Sequence, residues 1–291
     1  MKPFVMHHVT ISPSRRCNLN CKLCGTGSPY YINPKIISLD RLKETVDRFF
    51  LIASYVEKFS ISGGEPLLYK DLPLYVDYLS GYGERIGTLE IVTNGTIVPS
   101  EALLESLMRL RTRFCFIIDN YGLKLSKKVD EIDKLLATKG IPYRILNYTQ
   151  TDTYYNGWVD FGDLSVKKLH TKEEIEEHCG KCAHSQKLKW CFPTIDGLMY
   201  PCPPAQRCVE LGSVNNYNEY IDLFDDALSV EDQRQKIQAI YSGKSLEACA
   251  WCNGLREDSQ RFMPAEQLSA EEIRAIRGKM DEKTTAYEKE K

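Results

Sequence analysis

The sequence predicts an α/β protein of parallel strand–helix units, followed by a smaller cysteine-rich C-terminal extension. Three observations predict it. Short apolar strands alternate with amphipathic helical patterns through the first half, that rhythm stops near residue 150, and cysteines crowd the remainder. A chain of 291 residues can bury one large core or two smaller ones. The expected division is a β/α unit over 1–170, a cysteine-rich unit over 171–260, and a C-terminal helix and tail over 261–291.

Taken in order, residues 9–12 and 56–62 read as strands, followed by 88–93, 113–119 and 143–147. After Ser38, an N-cap, Leu39, Leu42, Val46, Phe49 and Phe50 recur at helical spacing. Ser100 caps a second helix carrying Leu103, Leu104, Leu107 and Leu110. Val129, Ile132, Leu135 and Leu136 form a third, closed by Gly140 with Pro142 just beyond. Apolar strands separated by helices argue for parallel pairing, and in such folds chemistry gathers at the carboxyl ends of the strands. Past residue 150, Tyr154, Tyr155 and Trp158 stand in a polar, irregular stretch. Thr171 with Glu174, and Ser269 with Glu272, read as capping boxes. Residues 188–195 are strand-like and lead into the turn Asp196-Gly197, and the end EKTTAYEKEK reads as frayed.

Hydrophobic content of 43% and charged content of 27% are ordinary for a globular protein. A net charge of −2 lacks the basic excess that nucleic-acid binding needs, so no nucleic-acid partner is expected. The opening MKPFVMHHVT is too short an apolar run for a signal peptide, and Arg15 and Arg16 follow where a cleavage site would lie. The longest apolar stretch, 49–56, falls short of the roughly 20 residues that span a bilayer. A cytoplasmic protein without a membrane partner is expected. There, disulfides are a poor use for 11 cysteines, and their short, clustered spacings point to metal or iron–sulfur ligation.

Cys17, Cys21 and Cys24 stand as C-x3-C-x2-C just past the first strand. By themselves they suit either a zinc site, with His7 or His8 as a fourth ligand, or an iron–sulfur cluster whose fourth iron stays open. The next strand ends add to this. Strand two ends in SISGGEP, with Gly63, Gly64, Glu65 and Pro66, and strand three ends in IVTNG, with Thr93 and Asn94. Glycines past a strand let backbone approach a ligand closely, and Glu65 supplies a carboxylate at the same rim.

With these residues in view, the first 150 residues closely resemble the radical S-adenosylmethionine (SAM) superfamily, whose cluster motif matches CNLNCKLC and whose SAM-amine loop matches Gly63 to Pro66. The resemblance implies a partial (β/α)6 TIM-like barrel. It implies a [4Fe–4S] cluster on Cys17, Cys21 and Cys24, with SAM chelating the open iron and splitting into a 5′-deoxyadenosyl radical. Thr93 and Asn94 look like ribose contacts, while Asp119, Asn120, Arg144 and Asn147 would face SAM or substrate. Leu23 stands where the family usually has an aromatic residue, so its contact with adenine would be apolar packing. The candidate for a sixth barrel strand is 158–164.

Cys182, then Gly197 and Cys202, then Cys249 and Cys252 resemble the twitch or SPASM extension of many radical SAM enzymes. That resemblance implies a second, auxiliary [4Fe–4S] cluster on Cys182, Cys202, Cys249 and Cys252, although four thiolates also suit a structural zinc. Cys179, Cys191 and Cys208 are left over, and Cys179 or Cys191 is an alternative to Cys182 as a ligand. Cys115 reads as plain core. A free thiol near the substrate can return a hydrogen atom to a carbon radical, and Cys191 and Cys208 are the candidate donors. The expected activity is hydrogen abstraction from a C–H bond of a small, sugar- or aminoglycoside-like molecule, ending in epimerisation or oxidation, with flavodoxin or ferredoxin as electron donor. Modification of a ribosomally made peptide is the alternative enzyme reading. A non-catalytic iron–sulfur or zinc protein is the reading from another class, and the SISGGEP loop argues against it.

Overall fold

A computed structural model of the chain describes residues 3–149 and 156–277. Its centre is an eight-stranded sheet in the order β5-β4-β3-β2-β1-β6-β7-β8. Strands β1 (Val5–Ile11), β2 (Tyr55–Ile61), β3 (Ile86–Thr93), β4 (Phe114–Asn120) and β5 (Tyr143–Asn147) pair in parallel, each with the next. Between them run α1 (Leu39–Ile52), α2 (Leu72–Leu79), α3 (Glu101–Arg109) and α4 (Val129–Thr138). Ser38 and Ser100 cap α1 and α3 as expected, accepting from the backbone N–H of Arg41 and of Leu103.

The strands' period of two separates their faces. Val9, Ile11, Phe59, Ile61, Leu89, Ile91, Phe116 and Ile118 are all buried on one side, packed with Leu42, Val46 and Phe49 of α1 and Leu103, Leu104 and Leu107 of α3. Most intervening positions are polar, with buried Ile117 the exception among those between these residues. His8 and Lys58 are partners across β1 and β2, Ser60 and Glu90 across β2 and β3, Glu90 and Cys115 across β3 and β4. Cys115 is therefore not the plain core thiol that its sequence neighbours suggest, because its register places it among charged side chains and leaves it half-exposed.

Residues 158–164 do not form a strand. Gly157 and Gly162 have φ of 107° and 80°, and the side chains of Asp160 and Asp163 accept from the backbone of Gly162 (2.7 Å) and Ser165 (2.9 Å). These local turns take up the segment; Trp158 makes an isolated bridge to Phe262, and the Phe161 carbonyl accepts from Asn253 N–H (3.0 Å). A further parallel strand comes from β6 (Pro193–Ile195), which pairs with the free edge of β1. The strand-like stretch 188–195 thus narrows to its last three residues. The turn Asp196-Gly197 does make a hairpin to β7 (Leu198–Met199), with both residues left-handed, and β8 (Ile221–Asp222) adds the edge.

The second half also holds α5 (Lys172–Gly180), α6 (Ala183–Gln186), α7 (Pro203–Glu210) and α8 (Val230–Ser242). Both expected capping boxes form, Thr171 with Glu174 and Ser269 with Glu272. Tyr154, Tyr155 and the EKTTAYEKEK end lie outside the described residues. Among the described residues no helix is long and apolar enough to cross a membrane.

Candidate active site

The loop after β1 is fastened to the loop after β2. Gly64 N–H donates to the Ser14 carbonyl (3.1 Å) and Glu65 N–H to that of Arg16 (2.8 Å). A Cβ on Gly63, whose φ is 130°, would stand 2.5 Å from the Ser14 oxygen, and one on Gly64 would overlap the Arg16 carbonyl. The two glycines thus serve a close approach between loops.

Glu65 joins this junction to the next strand. It is 3% exposed, and its carboxylate accepts from Leu67 N–H (3.1 Å), Thr93 Oγ1 (2.8 Å) and Asn94 N–H (2.8 Å). Burial nonetheless pushes its pKa up to about 7. Glu65 and Thr93 are therefore occupied with each other inside the protein, instead of standing free at a rim. Pro66 starts the short turn that follows. Asn94 is the half-buried member of its strand end, and its Nδ2 lies 3.6 Å from Cys17 Sγ and 3.0 Å from Asn18 Oδ1.

Each of the three amino-terminal thiols has a hydrogen-bonding neighbour. Leu19 N–H points at Cys17 Sγ (3.4 Å), Gln267 Nε2 at Cys21 Sγ (3.2 Å), and Thr26 Oγ1 lies 3.2 Å from Cys24 Sγ. Burial holds the pKa of Cys17 up at about 11 and that of Cys21 at about 12, and the sulfurs' mutual charge raises both further. Such thiols ionise when a metal replaces their protons, and the surrounding donors suit the resulting thiolates. His7 and His8 are engaged elsewhere, with Glu57 (2.9 Å) and Ser60 (2.9 Å). Among the described residues no group of three or more His, Cys, Asp or Glu side chains is already closed to the spacing of a bound metal ion.

At the end of β4, Tyr121 Oη donates to Asp119 (3.2 Å), and its ring meets Trp158 edge-on with centroids 5.6 Å apart. Removal from water, with a smaller push from the charge of Glu65, raises Asp119 to a pKa of about 7. Asn120 donates to Asn147 across β4 and β5 (2.9 Å), and Arg144 is exposed beside Cys115. Next to the cysteine loop lies a cavity of about 680 Å³, lined among others by Leu23, Cys24, Tyr30, Asp160, Asp163 and Gln206.

Cys182, Cys202, Cys249 and Cys252 line a second cavity together with His178 and His184. Backbone N–H groups of Leu255 and Gly254 point at Cys182 Sγ (3.5 Å) and Cys252 Sγ (3.2 Å). Cys179 shares a thiol–thiol hydrogen bond with Cys249, which draws its pKa down and raises that of Cys249. Cys191 and Cys208 line neither cavity. Cys208 has no exposed surface, and burial raises both thiols to about 12. Gln267, Tyr121 and the aspartates at 160 and 163 escaped the sequence reading, since none belongs to a motif and Gln267 stands 246 residues from the thiol it meets.

Residues 11–144 match the Radical SAM superfamily model. The chain is 29% identical over 181 residues to GTP 3′,8-cyclase of Campylobacter jejuni subsp. doylei, covering 58% of this chain and 50% of that protein. It is 36% identical over 144 residues to GTP 3′,8-cyclase of Campylobacter curvus, covering 49% and 41%. The chain thus spans about half the length of the curated relatives it matches. Among solved structures, anSMEcpe with bound AdoMet and Cp18Cys peptide has a TM-score of 0.51 at 14% identity, over 98% of this chain and 96% of that one. BtrN in complex with AdoMet and 2-DOIA has a TM-score of 0.51 at 18% identity, over 88% and 98%. These likenesses concern the fold. The sequence match identifies residues 11–144, which hold the strands and loops just described, as a radical SAM domain.

Proposed function

We propose that Cys17, Cys21 and Cys24 hold the [4Fe–4S] cluster of a radical SAM enzyme, and that this enzyme takes a hydrogen atom from a C–H bond of a small, sugar- or aminoglycoside-like substrate. The observation that carries the reading is the set of three thiols past β1, Cys21 buried and Cys17 and Cys24 part-buried, each beside its own hydrogen-bonding group, with Cys24 bordering a substrate-sized cavity. When bound, the cluster supplies the electron that splits SAM into methionine and a 5′-deoxyadenosyl radical. The chain supplies position. The Gly63–Glu65 junction and the Asn94 amide hold the cysteine loop against the strand ends. Leu23 gives adenine an apolar surface, and Asn120 and Asn147 offer polar groups at neighbouring strand ends, whereas Arg144 stands at the amino-terminal end of β5, opposite Ile117.

The cavity lining favours a polar, amine-bearing substrate. Asp160 and Asp163 are exposed at it, and Tyr30 and Phe161 offer faces for sugar C–H groups. A nucleoside triphosphate fits less well, because Asp160, Asp163, Glu210 and Glu272 outnumber Arg15, Lys22 and Arg207 in the lining. Among the described residues Cys24 is the cysteine that reaches this cavity. That supports two-electron oxidation over epimerisation, which needs a free thiol at the substrate.

The four cysteines of the second cavity fit an auxiliary cluster, whose thiolates would receive the N–H groups of Leu255 and Gly254. Residues 1–170 would then carry SAM chemistry and 171–260 the auxiliary cluster, with flavodoxin or ferredoxin as electron donor. Anaerobic reconstitution followed by dithionite reduction tests the reading. About eight irons per chain and release of 5′-deoxyadenosine are expected, and a fully loaded, reduced chain that leaves SAM intact would overturn it. Turnover in deuterated water separates the outcomes, since oxidation leaves an unlabelled ketone and thiol-dependent inversion leaves deuterium at carbon.

A further inference from the structure

We propose that residues 265–268 form a strap across the cysteine loop, and that Gln267 on this strap is a positioning residue for Cys21 that raises the reduction potential of the cluster. The inference rests on Cys17, Cys21 and Cys24 being its ligands.

Two backbone bonds make the strap. Lys22 N–H donates to the Glu266 carbonyl (2.8 Å) and Leu268 N–H to the Asn20 carbonyl (2.8 Å), so Cys21 and Gln267 face each other as an antiparallel bridge. Between these bonds the Gln267 amide is used at both ends. Its Oε1 accepts from Asn20 N–H (2.8 Å), while Nε2 donates to Cys21 Sγ (3.2 Å) and to the Ala265 carbonyl (2.8 Å). A flipped amide would set donor against donor at Asn20 and acceptor against acceptor at Ala265, so its orientation is fixed. The chain enters the strap through Ala265, buried with φ of 57°, and leaves it into the helix begun by Ser269 and Glu272. Arg277 Nε then reaches the Pro29 carbonyl (3.2 Å), a second attachment to the same loop.

The chemistry follows from where the N–H points. Cys21 is 6% exposed, so water does little to stabilise charge on its sulfur. A hydrogen bond to a cluster thiolate favours the state with more negative charge, which is the reduced one. Cys17 and Cys24 draw their neighbours from their own loop and from the next strand end, at Leu19, Thr26 and Asn94. Cys21 takes its side-chain donor from the far end of the chain. Docking of the C-terminal segment and the electron affinity of the cluster are thereby joined. Gln267 itself is exposed, so replacing it removes the N–H without emptying any core.

The test compares the parent chain with Gln267→Ala, both reconstituted anaerobically, by iron content and by EPR-monitored redox titration without SAM. The variant is expected to keep its iron while the ratio of reduced to oxidised N-terminal cluster at a fixed potential falls about tenfold, or about 59 mV for a one-electron couple. Gln267→Glu, which keeps the length but presents an acceptor, should shift it further the same way. An unchanged midpoint in an iron-loaded variant overturns this inference alone, whereas a parent that assembles no cluster on the three thiols overturns the ligand assignment beneath it. Should the variants lose iron, amide exchange on the parent decides: Lys22 and Leu268 must be protected, and free exchange at both would refute the strap.

Discussion

At the scale of single residues, the polar groups that matter most are those whose partners are all protein. Glu65 accepts three hydrogen bonds from two strand ends, so Glu65→Gln turns an N–H toward the Asn94 N–H. A loss of about 1–3 kcal/mol is expected, read as a lower urea midpoint of the metal-free chain. Asp119 carries a pH dependence. Its folded pKa of about 7 lies above its ordinary 3.8, so the folded state binds that proton more tightly. Stability from this group is therefore complete below about pH 4, declines as pH rises to about 7, and is flat beyond. Partial exposure screens the effect to on the order of 2 kcal/mol, and Asp119→Asn should flatten the pH profile of the unfolding midpoint by that amount. A variant as pH-sensitive as the parent would remove Asp119 from the explanation.

At the scale of elements, period and caps explain why the strands and helices form where they do. Ser38, Ser100, Thr171 and Ser269 each accept from the third residue of the helix that follows, and each is visible in the sequence because capping is local. Ser100→Ala should cost about 1 kcal/mol in thermal or urea unfolding without affecting iron content. The loops obey a different constraint. Gly64→Ala would drive a methyl group into the Arg16 carbonyl and part the loop after β2 from the cysteine loop. That variant should take up markedly less iron at Cys17, Cys21 and Cys24 while α1 and α3 keep their far-UV helical signal. The segment 158–164 shows where element reading by apolar content fails. Two left-handed glycines and two Asx turns override a run that contains Trp158, Val159 and Phe161.

At the scale of the whole molecule, the sheet continues from the first half into the second, because β6 hydrogen-bonds to the free edge of β1. The core is correspondingly one cluster of buried residues, from Met6 of β1 to Cys252. Cys202→Ala should remove about four of about eight irons and leave SAM cleavage measurable, since Cys202 lines a cavity that Cys17, Cys21 and Cys24 do not. Loss of all iron from that variant would show that the two sites assemble as one.

The sequence by itself determined what local chemistry determines: the alternation of strand and helix, the caps, the C-x3-C-x2-C spacing, and the polar glycine-bearing strand ends that go with it. These features act over a few residues, so one chain displays them. Only the tertiary structure decided which distant groups meet. It placed Cys182, Cys202, Cys249 and Cys252 around one cavity and turned Glu65 inward to Thr93. It moved Cys115 from expected core to a polar face, and brought Gln267 onto Cys21. Such contacts arise when packing closes long loops, and their partners carry no periodicity or spacing by which a linear reading could pair them.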